Sequence, residues 1–250
     1  MGWYGVLAAT IRRSRGTAVI REHAANSAWL GRPAGIITDA AFFQLPATEQ
    51  QRLLEPYSWT EFRCPLASAP PALTLGSAGF FWIDCQIEFR IALGRIASTS
   101  SLDRLEIEYA NDRPFTVDAL EMKGFRHERF LEIPGVTPER LAERYSAWAN
   151  RLLQSHPSWC LRILYDSRVQ GWYLSEPKGE SVHLALAMLH RDASVTGLHL
   201  YQKALVAYGS RGARMGRAAF SVRNTDVHNI YARLGALFTP PQGCWLHVRE

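Results

Sequence analysis

Cysteine is scarce and scattered in this chain of 250 residues: Cys64, Cys85, Cys160 and Cys244 form no C-x-x-C pair, and no histidine stands at metal-ligand spacing from them. That pattern argues against a zinc site and a disulfide framework, and for reduced thiols in a cytoplasm. Tandem repeats and low-complexity tracts are lacking too. So are long hydrophobic runs. The apolar stretch WYGVLAATI near the start is short and has its arginines after it, so neither a signal peptide nor a membrane span is expected. One segment lacks acid altogether: from Ala193 to Thr225 there is no Asp or Glu, while Lys203, Arg211, Arg214, Arg217 and Arg223 supply five positive charges. Elsewhere the basic residues match the 23 acidic ones in number, so the net charge of +5 belongs to this segment. A local anionic ligand fits that placement better than a coat for nucleic acid, with a solvated arginine-rich face as the ordinary alternative.

What is present is a dense alternation of strand and helix signals. The stretch ASTSSLD, residues 97–103, breaks the apolar pattern and is the expected linker, dividing the chain into 1–102 and 103–250. Before it, GSAGFFWIDCQIEFRIAL reads as a helix end, a Gly-aromatic turn and a strand with Ile83, Cys85, Ile87 and Phe89 on one face. After it, RLEIEYA reads as a strand and PFTVDALEMKGF as a helix with Phe115, Leu120 and Phe125 in its core. A further helix spans 137–154, opened by Thr137 as N-cap, Pro138 in the first position and Glu139 in the first turn. WCLRILYD and VQGWYLSEP pair through a turn at 166–168, and the almost wholly apolar ESVHLALAML joins them. GLHLYQKALVAYG is then a helix, RAAFSV a strand, TDVHNIYARLG a helix and GCWLHV a last strand. Helices mixed with a largely antiparallel sheet predict an α+β (mixed α/β) fold.

Two stretches carry candidate chemistry. In LHRDASVTGLH, residues 189–199, a strand enters a helix through a loop with a glycine, and unpaired backbone N–H groups plus the helix dipole attract anions there. In SVRNTDVHNIYARLGALF, residues 221–238, Asn224 and Tyr231 stand seven apart, hence on nearly one helix face and about 10 Å from each other. Spacing alone equally describes an N-cap asparagine and a half-buried core tyrosine.

Together these pieces resemble the GNAT acyl-CoA transferase superfamily, over about residues 103–250. Asn224 and Tyr231 match the family's N-x-x-x-x-x-x-Y motif, with LGALF in place of the usual Gly-Phe turn. The family's glycine-rich loop reads here Ser194-Val195-Thr196-Gly197-Leu198-His199 and keeps only the central glycine. A narrower likeness, to the dTDP-fucosamine acetyltransferase group, lies in GFFWIDCQIEF, FRHERF, YSAWANRLLQ and GCWLHV. It implies a GNAT fold preceded by a smaller GNAT-like N-terminal domain.

The resemblance implies acetyl-CoA as cofactor and a small-molecule amine as acceptor, by the narrower likeness an amino group on a nucleotide-linked deoxysugar. Other small amines, such as antibiotics or amino-acid derivatives, remain open. So does a binding module that has lost turnover. On this reading the backbone around Leu186, Met188 and Leu189 pairs with the pantetheine arm. Ser194, Val195, Thr196, Gly197 and Leu198 cradle the pyrophosphate, the Ser194 and Thr196 hydroxyls standing in for lost donors. Asn224 binds the cofactor's arm, the basic segment faces its phosphates, and Tyr231 protonates the departing thiolate. His183 falls where several relatives carry a glutamate base, and its ordinary alternative is a strand histidine bonded to a neighbour. Glu180, Glu88 and Asp84 are weaker candidates for the base. No histidine pairs with a serine or cysteine in a nucleophile motif, which favours direct transfer over an acyl-enzyme. No nucleic acid, membrane or metal is expected, and a homodimer is left open.

Overall fold

The structure is a computed structural model and describes residues 19–124 and 129–249; WYGVLAATI, Phe125 and most of FRHERF lie outside the described residues. The chain divides into two compact units. The described part of the smaller one comprises 19–62, 70–79 and 247–249. It holds β1 (Ile20–Glu22), α1 (Ala24–Leu30), β2 (Ala34–Ile37), α2 (Ala47–Leu54), most of β3 (Trp59–Pro65) and α3 (Ala72–Ser77). β1 runs antiparallel to β2, and β2 parallel to β3. Its core is aromatic: Phe43 meets Phe42 and Phe62 edge-on at 5.1 and 4.8 Å between ring centroids, a favoured aromatic geometry.

The larger unit spans Arg63–Ala69 and Phe80–Leu246. In chain order it contains β4 (Phe81–Ala92), β5 (Leu105–Tyr109), α4 (Pro138–Ser155), β6 (Cys160–Tyr165), β7 (Arg168–Lys178), β8 (Ser181–Leu189), α5 (Gly197–Ser210), β9 (Met215–Ser221), α6 (Thr225–Arg233), β10 (Leu237–Phe238) and most of β11 (Gln242–Val248). The strands lie in the order β11-β4-β9-β8-β7-β6-β5, with β10 also on β4. β5 to β8 form an antiparallel meander, α5 carries the chain across to β9 parallel to β8, and β4 closes on β9 antiparallel.

Local sequence accounts for much of this. Thr137 caps α4, its Oγ1 accepting from the Arg140 N–H at 3.3 Å, and Pro138 fills the first helical position, where no N–H is needed. Leu141, Ala142, Tyr145, Ala149, Leu152 and Leu153 then recur at helical spacing and are buried. Between β6 and β7 a two-residue turn puts Asp166 and Ser167 at φ 47° and 61°, the left-handed pair that a tight hairpin requires. At Gly171 an added Cβ would lie 2.3 Å from the Met188 carbonyl and 2.4 Å from Leu200, so only glycine lets β7, β8 and α5 come this close.

The main core lies between the sheet and α5 with α6. Leu200, Tyr201, Ala204, Leu205 and Tyr208 of α5 and Tyr231 of α6 pack with Phe89, Ile91, Tyr173, Val182 and Leu184 of the strands. Leu102 belongs to the same core, and β4 pairs with β9 from Gln86 to Ala92. The divide expected at 102/103 therefore runs through this core, and residues 80–102 fold with the C-terminal part of the chain. The helix expected over 114–125 also differs: its described part is only a 3-10 turn at Ala119–Gly124, and Leu120 is exposed. The cause is competition for Val117. Its N–H donates to Asn150 Oδ1 at 3.1 Å, and its carbonyl accepts from Ser146 Oγ at 2.7 Å and Asn150 Nδ2 at 2.9 Å, so α4 side chains hold the backbone that a helix would have used.

Candidate active site

β8 and β9 begin as partners and then part. Their parallel pairing covers Ser181–His183 with Met215–Arg217 and stops there. On its other side, β8 pairs Leu186 with Leu174 and His183 with Glu176, three steps along β8 against two along β7. That extra residue is a bulge, which bends a strand away from its ladder. Beyond His183 the β9 side of β8 carries no strand pairing, and this is the stretch that contains Leu186, Met188 and Leu189. Leu186 and Met188 bury their side chains, while Leu189 is exposed.

At the end of β8 the chain enters α5 through 190–196. Thr196 caps the helix, its Oγ1 accepting from the His199 N–H at 3.4 Å and lying 3.0 Å from His199 Nδ1. The Ser194 and Val195 N–H groups are already used. Both donate to the buried Gln170 Oε1, at 2.8 and 3.3 Å, and Ser194 Oγ donates to the same atom at 3.2 Å. The hydroxyls expected to replace lost donors are thus occupied. The N–H groups of Thr196, Gly197 and Leu198 have no partner among the described residues and point out of the first helical turn. Gly197 itself is explained by packing: a Cβ there would sit 3.0 Å from Ile230 Cδ1 and 3.4 Å from Leu189 Cδ1. Gln170 was not foreseen from the sequence; its one signal is a polar residue at the head of the otherwise apolar VQGWYL.

Asn224 and Tyr231 divide their roles. Asn224 is the N-cap of α6, its Oδ1 accepting from the Val227 N–H at 3.2 Å. Tyr231 is buried, 3.9 Å from the Phe89 ring centre and edge-on to Tyr201 at 5.3 Å, and its hydroxyl is hydrogen-bonded to the hydroxyl of Tyr173. Tyr173 comes from β7 opposite Ala187, one of the small residues of β8 past the bulge. Burial holds both phenols well above their ordinary pKa, so both are neutral proton carriers at physiological pH; the hydrogen bond to Tyr173 partly offsets the burial of Tyr231.

His183 stands at the last β8–β9 pair, beside Arg217 and across from Glu176. Its Nδ1 is buried without a hydrogen-bond partner. Burial first, then Lys178, lowers its pKa, against the opposing pull of Glu176 and Glu88, so the imidazole is neutral at pH 7. The other carboxylates are engaged: Asp84 is buried and accepts from Ser221 Oγ at 2.7 Å, Glu88 accepts from Gln242 Nε2 at 3.3 Å, and Glu180 pairs with Arg214 at 3.3 Å. All four cysteines are free thiols, and burial pushes Cys160 up to about 11, far from a thiolate nucleophile.

The basic segment does not gather at the α5 N-terminus. Lys203 donates to the Leu102 carbonyl at 2.9 Å, Arg211 lies 3.4 Å over the Tyr109 ring, and Arg223 donates to the Ile83 carbonyl at 2.9 Å and pairs with Glu132 at 3.7 Å. The spacing is geometric. α5 is about 20 Å long at 1.5 Å per residue, so Arg211 and Arg214 follow its far end.

No family model and no curated protein matches the sequence. Solved structures do match the fold. A GCN5-related N-acetyltransferase from Sphaerobacter thermophilus aligns with a TM-score of 0.57 at 12% identity, over 87% of this chain and 73% of its own. One from Kribbella flavida gives 0.52 at 12%, over 87% and 82%. A tandem GNAT protein from the clavulanic acid biosynthesis pathway gives 0.51 at 14%, over 87% and 76%. The chain has the mixed α/β fold of the GCN5-related N-acetyltransferases. Among the described residues there is no cluster suited to a metal ion, and no helix long and apolar enough to cross a membrane.

Proposed function

We propose that this protein is an acyl-CoA-dependent N-acyltransferase acting on the primary amine of a small molecule, with acetyl-CoA as donor. The observation that carries the reading is the parting of β8 and β9 at His183, with a neutral imidazole on one side of the gap and the Tyr173–Tyr231 phenol pair on the other. The residues present fit acetyl-CoA: the unpaired edge of β8 from Leu184 to Leu189 offers backbone groups to an extended amide-bearing arm, and three N–H groups at the α5 N-terminus suit its phosphates. When bound, acetyl-CoA supplies an acyl group activated as a thioester. The protein's own part is proton management and placement. His183, uncharged at neutral pH, accepts a proton from the incoming ammonium or through a water. Tyr231 holds a phenolic proton in the core, beside the Tyr173 hydroxyl opposite the unpaired stretch of β8, and Tyr173 is placed to return a hydrogen bond as that proton is given up.

By resemblance, a nucleotide-linked amino deoxysugar is the first acceptor to try, and the smaller unit stands as the counterpart of a partial N-terminal GNAT-like domain. Calorimetric titration with acetyl-CoA, followed by a thiol-release assay over a panel of amines, tests the reading. Binding with amine-dependent release supports it, and no binding sinks it. One observation favours a second reading, an acyl-CoA-binding module without turnover: Gln170 already occupies two loop N–H groups. Tight acetyl-CoA binding with no release for any amine would select that module.

A further inference from the structure

Four side chains line up across four neighbouring strands. Arg90 of β4 faces Arg217 of β9, Arg217 faces His183 of β8, and His183 faces Glu176 of β7. All four point away from the α5/α6 core, because the residues on either side of them along β4, β9 and β8 fill it: Phe89 and Ile91, Ala218, Val182 and Leu184. Both arginines are exposed, and neither has a hydrogen-bond or ion-pair partner among the described residues. Of the other cations of the basic segment, Lys203, Arg214 and Arg223 each have one, and Arg211 lies over the Tyr109 ring. Like charges directly opposite on antiparallel strands are destabilising. The nearest acids form no ion pair with either arginine: Glu88, two positions from Arg90 on the same face, keeps its charge but accepts from Gln242 instead, and Glu176 stands beyond His183.

Two guanidinium groups side by side, neither in an ion pair, are suited to one divalent or forked anion, since each presents a planar pair of N–H donors to a carboxylate or phosphate. We propose that Arg90 and Arg217 hold an anionic group of the acceptor, a carboxylate or a phosphate, so that the amine of the same molecule is delivered to His183. Strands lie about 4.8 Å apart, so the anion and amine subsites are separated by the span of a small molecule. The acceptor class is then an amine that also carries an acid, as in an amino acid or an amino-sugar phosphate. This rests on the acyltransferase reading.

The test uses the full chain, acetyl-CoA and matched pairs of amines that differ in the acid: β-alanine against β-alaninamide, and glucosamine 6-phosphate against glucosamine. The acid-bearing member of one pair is expected to show a kcat/KM about 10²-fold higher, and the pair that responds distinguishes carboxylate from phosphate. Arg217→Gln and Arg90→Gln should each shrink that preference at least tenfold through KM, with the acetyl-CoA dissociation constant unmoved. Arg217→Lys should fall between. Both glutamine variants should also melt about 1 °C higher, since they relieve the repulsion, which a merely structural arginine would not do. Equal kcat/KM within both pairs, a preference unmoved by the variants, or turnover of no acid-bearing amine by a protein that binds acetyl-CoA would each overturn the proposal alone. Absence of acetyl-CoA binding, read by calorimetry before any amine is added, overturns the acyltransferase reading and this proposal with it.

Discussion

Successive residues of β4, β9 and β8 meet opposite fates. Phe89, Ala218 and Val182 turn to α5 and α6, where aromatic rings stack and the polar atoms of Tyr173 and Tyr231 find each other. Arg90, Arg217 and His183, each one position away, turn to a face of charges and one unpartnered imidazole nitrogen. A period of two along three strands thus builds a core and a reactive row from the same segments. The lesson is that the candidate acid and base need not share an element. His183 stands at the last β8–β9 pair, and Tyr231 is hydrogen-bonded to Tyr173, which pairs opposite Ala187 in the stretch of β8 past the bulge.

The comparison can be broken most severely on the core side. Phe89→Ala should cost about 3–5 kcal/mol in urea unfolding, whereas Arg90→Ala on the neighbouring position should change stability by less than about 0.5 kcal/mol. Similar losses for both would mean that the two faces are not distinct. On the reactive side, Tyr231→Phe should lower kcat about 10²-fold and, by leaving the buried Tyr173 hydroxyl unpaired, cost about 1–3 kcal/mol of stability. Tyr173→Phe removes the same hydrogen bond and should match that stability loss, yet lower kcat only about tenfold, because it acts through Tyr231. Equal kcat losses would assign the pair to packing.

His183 sharpens the contrast through pH. With its pKa lowered, the acidic limb of wild-type kcat/KM should have its midpoint below the ordinary histidine value of about 6.5; His183→Gln should lose about 10² in rate and that limb with it. Folding favours the neutral imidazole, so its stability contribution is present above about pH 6.5 and is lost as pH falls through the lowered folded value. An unchanged limb in the variant would remove His183 from the base role. The smallest effect lies in the scaffold: Ser167→Gly, at φ 61°, should stabilise the β6–β7 hairpin by roughly 0.4–1 kcal/mol and leave turnover alone. No gain in melting temperature would show that the turn carries no strain.

Much of the larger unit was legible in the sequence. Helix α4 announced its start through Thr137 and Pro138, α6 through Asn224 and α5 through the apolar pattern after Gly197, and β6 to β8 through apolar runs and a turn at 166–168. The helix expected over 114–125 failed because local pattern competed with side chains of α4, more than 25 residues away in sequence, for the Val117 backbone. Of the candidate site, the residue types at 183, 224 and 231 stood out by spacing, but their surroundings did not. Tyr231 reads equally as acid or core, and in the structure it is a core tyrosine whose hydroxyl meets another.

Periodicity and caps depend on neighbours within a turn or two, and these the sequence by itself determined: which residues share a face along an unbroken strand such as β4, where a capped helix such as α4 begins, and that no cysteine sits in a nucleophile motif. Pairing across strands depends on register between distant segments. Only the tertiary structure decided that β8 leaves β9 after His183, that Gln170 takes the loop's N–H groups, and that the basic segment disperses while Arg217 meets Arg90. One extra residue in a ladder shifts every later pairing, and no single strand carries that information.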